Sequence, residues 1–262
     1  MPKSPLISII TVNLNNLEGL KKTMKSVFEQ SWQEFEYIII DGGSSDGSRE
    51  FIEAKKDKID YWVSEPDKGI YNAMNKGIKA ANGEYLYFLN SGDNLNGKDI
   101  LNQVKDKIKL FDLIYFNIDI IKGETKKNVS YPSKLRFTYF INATLCHQAI
   151  LIRKELFLIA GKFDENLSIV SDWKFLILTL FKHNCTYLKV DQTLSTFYLD
   201  GISSNPKNFN KINKEKEDVL NEHFSAILPE MEELKQIEFI LRNLRKSKKI
   251  NLLIKLGMLK KF

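Results

Sequence analysis

With two cysteines and three histidines in 262 residues, the chain has little material for a disulfide frame or a thiolate metal site. Cys146 and Cys185 are far apart, without metal-ligand spacing, and read as reduced, buried small hydrophobes. His147, His183 and His223 form no metal set and take part in no Ser-His-Asp ordering, and the last two read as ordinary helix-end or surface residues. Long hydrophobic runs are also missing. None approaches the ~18 to 20 residues of a transmembrane helix, and no charged-then-apolar leader precedes the first apolar segment. The expectation is a cytoplasmic protein. Gly-rich loops of the GxGxxG or GxxxxGK type are absent after that segment, which disfavours dinucleotide oxidoreductases and kinases. No internal repeat or low-complexity segment occurs.

Acidic residues are missing from one region alone. From Phe239 to Phe262 there are eight basic residues and no acid: Arg242, Arg245, Lys246, Lys248, Lys249, Lys255, Lys260 and Lys261. The 31 basic residues before that segment face 33 acids, so the net +6 of the chain resolves into a body of −2 and a basic tail. A general nucleic-acid surface is therefore not expected. Ile250, Leu253, Ile254, Leu256 and Leu259 interleave with the charges, a composition suited to a helix on an anionic membrane surface. The plainer alternative is a helix packed on its own domain or on a second copy, with solvated lysines outside.

What is present is a set of short buried strands that end on polar residues. A hydrophobic content of 43% over this length supports a sizeable core in about one or two domains. ISIITV (Ile7 to Val12) is a continuous apolar run followed by Asn13 and by a helical stripe of Leu17, Leu20, Met24, Val27 and Phe28. FEYIIID delivers Asp41 into the turn-forming GGSSDGS, ahead of a helix near Ser48. YLYFL (Tyr85 to Leu89) is a third buried run, from which Asn90, Ser91, Gly92 and Asp93 hang. In open α/β sheets ligands bind outside the carboxyl ends of strands, so all three ends point to one site. Further on, Leu113 to Ile120 reads as a strand with a turn at Lys122 to Thr125, and Cys146 to Phe157 as a strand running into a helix. Ser171 to His183 reads as a helix opened by Ser-Asp, TYLKVD and STFYLDGIS as two closing strands, and the residues after Pro206 as helical.

In this order, ISIITVNLNN, IIIDGGSSDGS, SEPDKGIYNAMNKGI and GEYLYFLNSGD resemble the nucleotide-sugar half of family 2 glycosyltransferases. DKGIYNAMNKGI and LNSGD are similar to the branch that builds bacterial exopolysaccharide and colanic-acid-type repeat units. The resemblance covers about Ile7 to Asp93, extends more loosely over Cys146 to Ser203 and stops there. It implies the GT-A fold, an α/β, Rossmann-like, mostly parallel sheet flanked by helices, over residues 1–205. A basic helical extension would follow over 206–262.

The implied chemistry is inverting transfer of one sugar from a UDP- or GDP-sugar to a saccharide acceptor, lipid-linked at the inner face of a bacterial membrane, with Mn²⁺ or Mg²⁺ offsetting the leaving diphosphate. Asp93 matches the metal-binding acid, although Asn90, Ser91 and Gly92 stand where other members carry a second one, so metal affinity without donor should be weak. By itself Asp93 also reads as a loop-capping residue. Asp41 matches the acceptor of a base N–H, Thr11, Val12 and Asn13 the lining of base and ribose, and Ser91 lies at the same strand end. Asp67 and Lys68 match the branch-specific loop. Asn75 and Lys76 match a ribose or diphosphate segment in which Met74 replaces an arginine, making Lys68 or Lys76 the expected substitute. Asp172 matches the general base, with Trp173 offered for stacking on a sugar and His147 for the acceptor pocket. An N-cap aspartate beside a core tryptophan is the bland alternative. Two other functions compete: a nucleotide-sugar-binding subunit without catalysis, and a sugar nucleotidyltransferase, which would need a triphosphate loop that LNNLEGL lacks.

Overall fold

The computed structural model describes residues 4–199 and 201–260, without the side chains of Lys235 and Glu238. Asp200, and Lys261 and Phe262 of the basic segment, lie outside the described residues. The chain divides into two compact units, Met1–Ile212 and Asn213–Phe262.

The first unit begins with β1 (Ile7–Asn13), α1 (Leu17–Phe28), β2 (Glu36–Asp41), α2 (Ser48–Glu53), β3 (Tyr61–Ser64), α3 (Ile70–Ala80) and β4 (Tyr85–Phe88). Every residue of β1, β2 and β4 is buried, as the unbroken apolar runs require of strands covered on both faces. The stripe of α1 is buried at Leu20, Met24 and Val27, and Asn16 caps the helix by accepting a hydrogen bond from the Gly19 N–H. β5 (Asn94–Leu95), α4 (Ile100–Val104), β6 (Leu113–Lys122), β7 (Thr125–Val129), α5 (Phe137–Asn142), β8 (Ile150–Arg153), α6 (Leu156–Ile159), α7 (Ser171–Phe181) and β9 (Tyr187–Tyr198) complete the sheet and its flanks.

Nine strands form one sheet in the order β3-β2-β1-β4-β8-β6-β9-β5, with β7 paired to β6. β3, β2, β1 and β4 run parallel, so their carboxyl ends share one edge. β8 enters antiparallel between β4 and β6, joining Tyr85–Tyr87 to Leu151–Arg153. The expected α/β architecture with flanking helices is thus present, and antiparallel β8 is the seam between its early and late strands. TYLKVD and STFYLDGIS, read as two strands, belong to one up to Tyr198: β9 follows β6 with register shifts around Asn117, and the polar residues near Asp191 mark that irregularity.

The second unit holds most of α8 (Phe209–Phe224), then α9 (Leu228–Lys246) and α10 (Lys248–Lys255). Leu234, Ile237, Ile240 and Leu244 of α9 are exposed, at roughly helical spacing. Among the described residues no helix is long and apolar enough to cross a membrane.

Candidate active site

The site lies along the shared carboxyl edge of β1, β2 and β4. Asp41 ends β2 with no exposed surface, and its carboxylate is saturated. Asn13 Nδ2 (2.8 Å) and Ser44 Oγ (2.6 Å) donate to Oδ1, and the Ser44 N–H (3.0 Å) and Ser64 Oγ (2.6 Å) donate to Oδ2. Burial by itself would raise the Asp41 pKa; these hydrogen bonds outweigh it and hold the group below the ordinary carboxylate value. Asn13 is buried and its Oδ1 has no hydrogen-bond partner, so an acceptor for an incoming donor group stands beside Asp41. Gly42 follows; a Cβ there would lie 2.6 Å from Asp67 Oδ2, so glycine lets the loop before α3 close over the end of β2.

Behind β4, the LNSGD segment is tied down by α1. Thr23 Oγ1 accepts from the Gly92 N–H (3.0 Å) and donates to Asp93 O (2.6 Å), while Asn16 Nδ2 reaches Ser91 O (3.2 Å). Gly92 takes a φ of 104°, a region open to glycine, which turns Asp93 back inward. Asp93 is 5% exposed and accepts from Gln148 Nε2 (2.8 Å) and the Tyr198 N–H (3.1 Å).

Asp93 fits one kind of metal site. Its carboxylate offers hard oxygen of the kind divalent Mg²⁺ or Mn²⁺ prefers. Asn90 Oδ1, three residues earlier, is buried without a partner and adds a second hard oxygen. Among the described residues no group of three or more His, Cys, Asp or Glu is clustered to hold a metal. This donor set suits Mg²⁺ or Mn²⁺ drawing most of its ligands from a diphosphate, not an ion caged by protein alone.

Asp172 sits in the first turn of α7, where a carboxylate is favoured by the helix dipole. Its Oδ1 accepts from Tyr71 Oη (3.0 Å) and the Trp173 N–H (2.9 Å), and its Oδ2 pairs with His147 Nδ1 (3.0 Å). Burial pushes the Asp172 pKa up, but the bonds from His147, Tyr71 and the Trp173 N–H more than offset it, leaving the group lowered. The other face of His147, Nε2, meets Asn90 Nδ2 at 3.1 Å. A line of side chains therefore runs from Asp172 through His147 to the end of β4, with Asp172 and His147 18% and 15% exposed.

Other expected residues are placed differently. Trp173 is 1% exposed and donates its indole N–H to Phe140 O, so its face is not open to a sugar; it anchors α7 to α5 instead. Thr11 and Val12 are buried, and the Thr11 hydroxyl is turned into the sheet toward Tyr37 Oη (3.1 Å). Asn75 faces the Phe163 backbone, and Lys76 pairs with Glu65 (2.8 Å) and donates to Pro66 O (3.1 Å), bracing the loop before α3. Lys68 is exposed at that loop. Gln148 and Tyr198 at Asp93, and Tyr71 at Asp172, were missed. Gln148 and Tyr71 stand inside CHQA and GIYNAMNKG, so their motifs marked the place but not the contact.

The sequence profile described as "Glycosyl transferase family 2" matches residues 8–158, more than half of the chain. The chain belongs to glycosyl transferase family 2. Among relatives, a glycosyltransferase of Mycobacterium tuberculosis is 32% identical over 209 residues, covering 78% of this chain and 79% of its own. A relative in Mycobacterium bovis, described as a PGL/p-HBAD biosynthesis glycosyltransferase, is 31% identical over 178 residues, 66% of this chain and 68% of that one. Among solved structures, TarS of S. aureus (residues 1–349) superposes with a TM-score of 0.62 at 18% identity, covering 84% of this chain and 72% of that one. TarS has been solved with UDP and with UDP-GlcNAc. The mannosyltransferase PcManGT of Pyrobaculum calidifontis, solved with GDP-Man and Mn²⁺, gives 0.57 at 13% identity, over 78% and 59% of the two chains. At such identities these likenesses speak to the fold, which is the GT-A fold of family 2.

Proposed function

We propose that this family 2 glycosyltransferase moves a single sugar, with inversion, from a UDP- or GDP-sugar to a saccharide acceptor. The observation that carries the reading is the convergence, at one sheet edge, of Asp41 and the unpartnered Asn13 Oδ1, of Asp93 with Asn90 Oδ1, and of Asp172. Asn13 Oδ1, oriented by Asp41, and the Asp67–Lys68 loop take the nucleoside, with Ser91 at the adjoining strand end. Mn²⁺ or Mg²⁺, held by Asp93 and Asn90, supplies charge neutralisation for the departing diphosphate. Asp172 is the general base. The acceptor oxygen forms its bond to the anomeric carbon as the carbon–oxygen bond to the diphosphate breaks, and the hydroxyl proton passes to the Asp172 carboxylate. Because that carboxylate is a weak base, proton transfer comes late, when the attacking oxygen has become acidic. His147 borders the acceptor side.

The PGL/p-HBAD description of one relative and the acid-free basic segment from Phe239 through α10, with its exposed apolar residues, support a lipid-linked acceptor and peripheral attachment to an anionic inner membrane surface. The test is thermal stability against a panel of UDP-, GDP-, CMP- and TDP-sugars with Mn²⁺, Mg²⁺ or EDTA. A ligand at 100 times its Kd adds about 2.7 kcal/mol. A metal-dependent shift with one nucleotide class, lost in Asp93→Ala, is expected. No shift with any nucleotide would sink the donor-site assignment, and binding without turnover in any acceptor mixture would favour a non-catalytic subunit.

A further inference from the structure

One helix touches both ends of the site. Asn72 of α3 accepts from the Lys68 N–H at Oδ1 (3.2 Å), in the loop that closes over Asp41, and donates from Nδ2 to Glu165 Oε2 (2.8 Å), in the loop that leads to Asp172. One side chain thus bridges segments about a hundred residues apart in sequence. Asn75, one turn on, donates to Glu165 Oε1 (2.8 Å) and to Phe163 O (2.9 Å) and accepts from the Phe163 N–H (3.1 Å). A primary amide that both gives to and takes from one residue's backbone fixes that backbone in position and direction. Immediately before them Tyr71, 5% exposed, brings its hydroxyl to Ile169 O (2.5 Å) and Asp172 Oδ1 (3.0 Å), and its ring lies 5.8 Å from that of Phe163. The segment 163–172 is therefore fastened to α3 at its start, middle and end. Residues 65–69 are fastened to the same helix through Asn72 and through Lys76, which holds Glu65 and Pro66.

We propose that α3 couples the donor loop to the base: Tyr71 is a positioning residue that sets the Asp172 carboxylate, and Asn72 transmits the closure of residues 65–69 to residues 163–172. Nothing in this role requires Tyr71 or Asn72 to touch substrate. The assignment rests on Asp172 being the base; the fastening of 163–172 by α3 does not, and the two are separable by experiment. A base displaced by about 1 Å loses on the order of a hundredfold in rate while substrate binding survives, so the effect belongs in kcat and not in KM.

The experiment uses the full chain and four variants: Tyr71→Phe, which keeps the ring and removes the hydroxyl, Tyr71→His, Asn72→Ala and Glu165→Ala. Amide hydrogen exchange is followed first without ligand, then with UDP or GDP plus Mn²⁺. Without ligand, exchange of residues 163–172 should rise in Asn72→Ala and Glu165→Ala while the strands of the sheet remain protected. With nucleotide, the wild type should gain protection in both 65–69 and 163–172, and Asn72→Ala in 65–69 alone. Turnover is read as nucleotide release from UDP-GlcNAc or GDP-mannose, whichever binds. Tyr71→Phe should lower kcat about tenfold or more at an unchanged donor KM, and Tyr71→His should not restore it. Unaltered ligand-free exchange at 163–172 in both Asn72→Ala and Glu165→Ala would overturn the fastening. Nucleotide protection confined to 65–69 in the wild type would overturn the coupling, and a wild-type kcat in Tyr71→Phe would overturn the positioning. A chain that binds neither nucleotide fails the proposed function, while its ligand-free exchange still decides the fastening.

Discussion

At the scale of single residues the site divides into groups already saturated by protein and groups left wanting a partner. Asp41 takes four protein hydrogen bonds, whereas Asn13 Oδ1 and Asn90 Oδ1 have none. The saturated acids should show in the pH dependence of stability. Asp41 has a folded-state pKa below its ordinary 3.8, so its stabilising contribution is complete above that value and is lost as pH falls through the folded-state pKa. The melting temperature of Asp41→Asn should accordingly sit below that of the wild type by a constant interval at neutral pH, and the interval should close under strongly acid conditions. Asp172→Asn should abolish transfer while the nucleotide-induced thermal shift persists; substantial residual turnover would remove Asp172 from the role of base. Of the two lysines, Lys68 is exposed and Lys76 is engaged with Glu65 and Pro66 O. Lys68→Ala should therefore raise the donor KM alone, and Lys76→Ala should raise it together with exchange in the loop 65–69.

At the scale of elements, close approach is the governing feature. α3 lies against β1 at Gly77, where an added Cβ would come 2.5 Å from Ile10 Cγ2. Gly77→Ala must push helix and strand apart, at a cost of about 1 to 3 kcal/mol. A melting temperature lowered by about 2 to 4 °C for each of those kcal/mol is expected, with a loss of nucleotide affinity because the carboxyl edge moves. The elements that carry the donor side were legible in sequence because ISIITV, EYIIID and YLYFL are unbroken apolar runs ending on polar residues. β3 was not, since YWVS is short and only partly buried, and β5 is two residues long. β9 was read as two strands because its register irregularity looks like a polar break. For the site, position at a strand end was readable and orientation was not. Nothing local in the sequence turns Asn75 toward Phe163, 88 residues away, or buries the Trp173 face that looked open to a sugar.

At the scale of the whole molecule, charge and chemistry lie in different parts of the chain. Residues 1–238 carry −2, and the segment from Phe239 to Phe262 carries eight positive charges beside exposed Ile240, Leu244, Leu252 and Leu256. Each basic residue near an anionic bilayer contributes about 1 kcal/mol, so replacing Lys246, Lys248 and Lys249 by Gln should weaken binding to phosphatidylglycerol vesicles about a hundredfold. Neutral phosphatidylcholine vesicles should bind weakly in either case, and a nucleotide affinity unchanged by the substitutions would keep the two functions separate. Co-sedimentation independent of lipid charge would refute the attachment. The seam at β8 has a different consequence, for recombination between relatives. β4 and β8 exchange hydrogen bonds from Tyr85–Tyr87 to Leu151–Arg153, deep in the sheet. A chimera cut anywhere between them inherits the two strands from different parents, and a mismatch there exposes a buried sheet edge rather than a surface loop. Exchange of acceptor specificity would then succeed only where the crossover leaves both strands of that pair to a single parent.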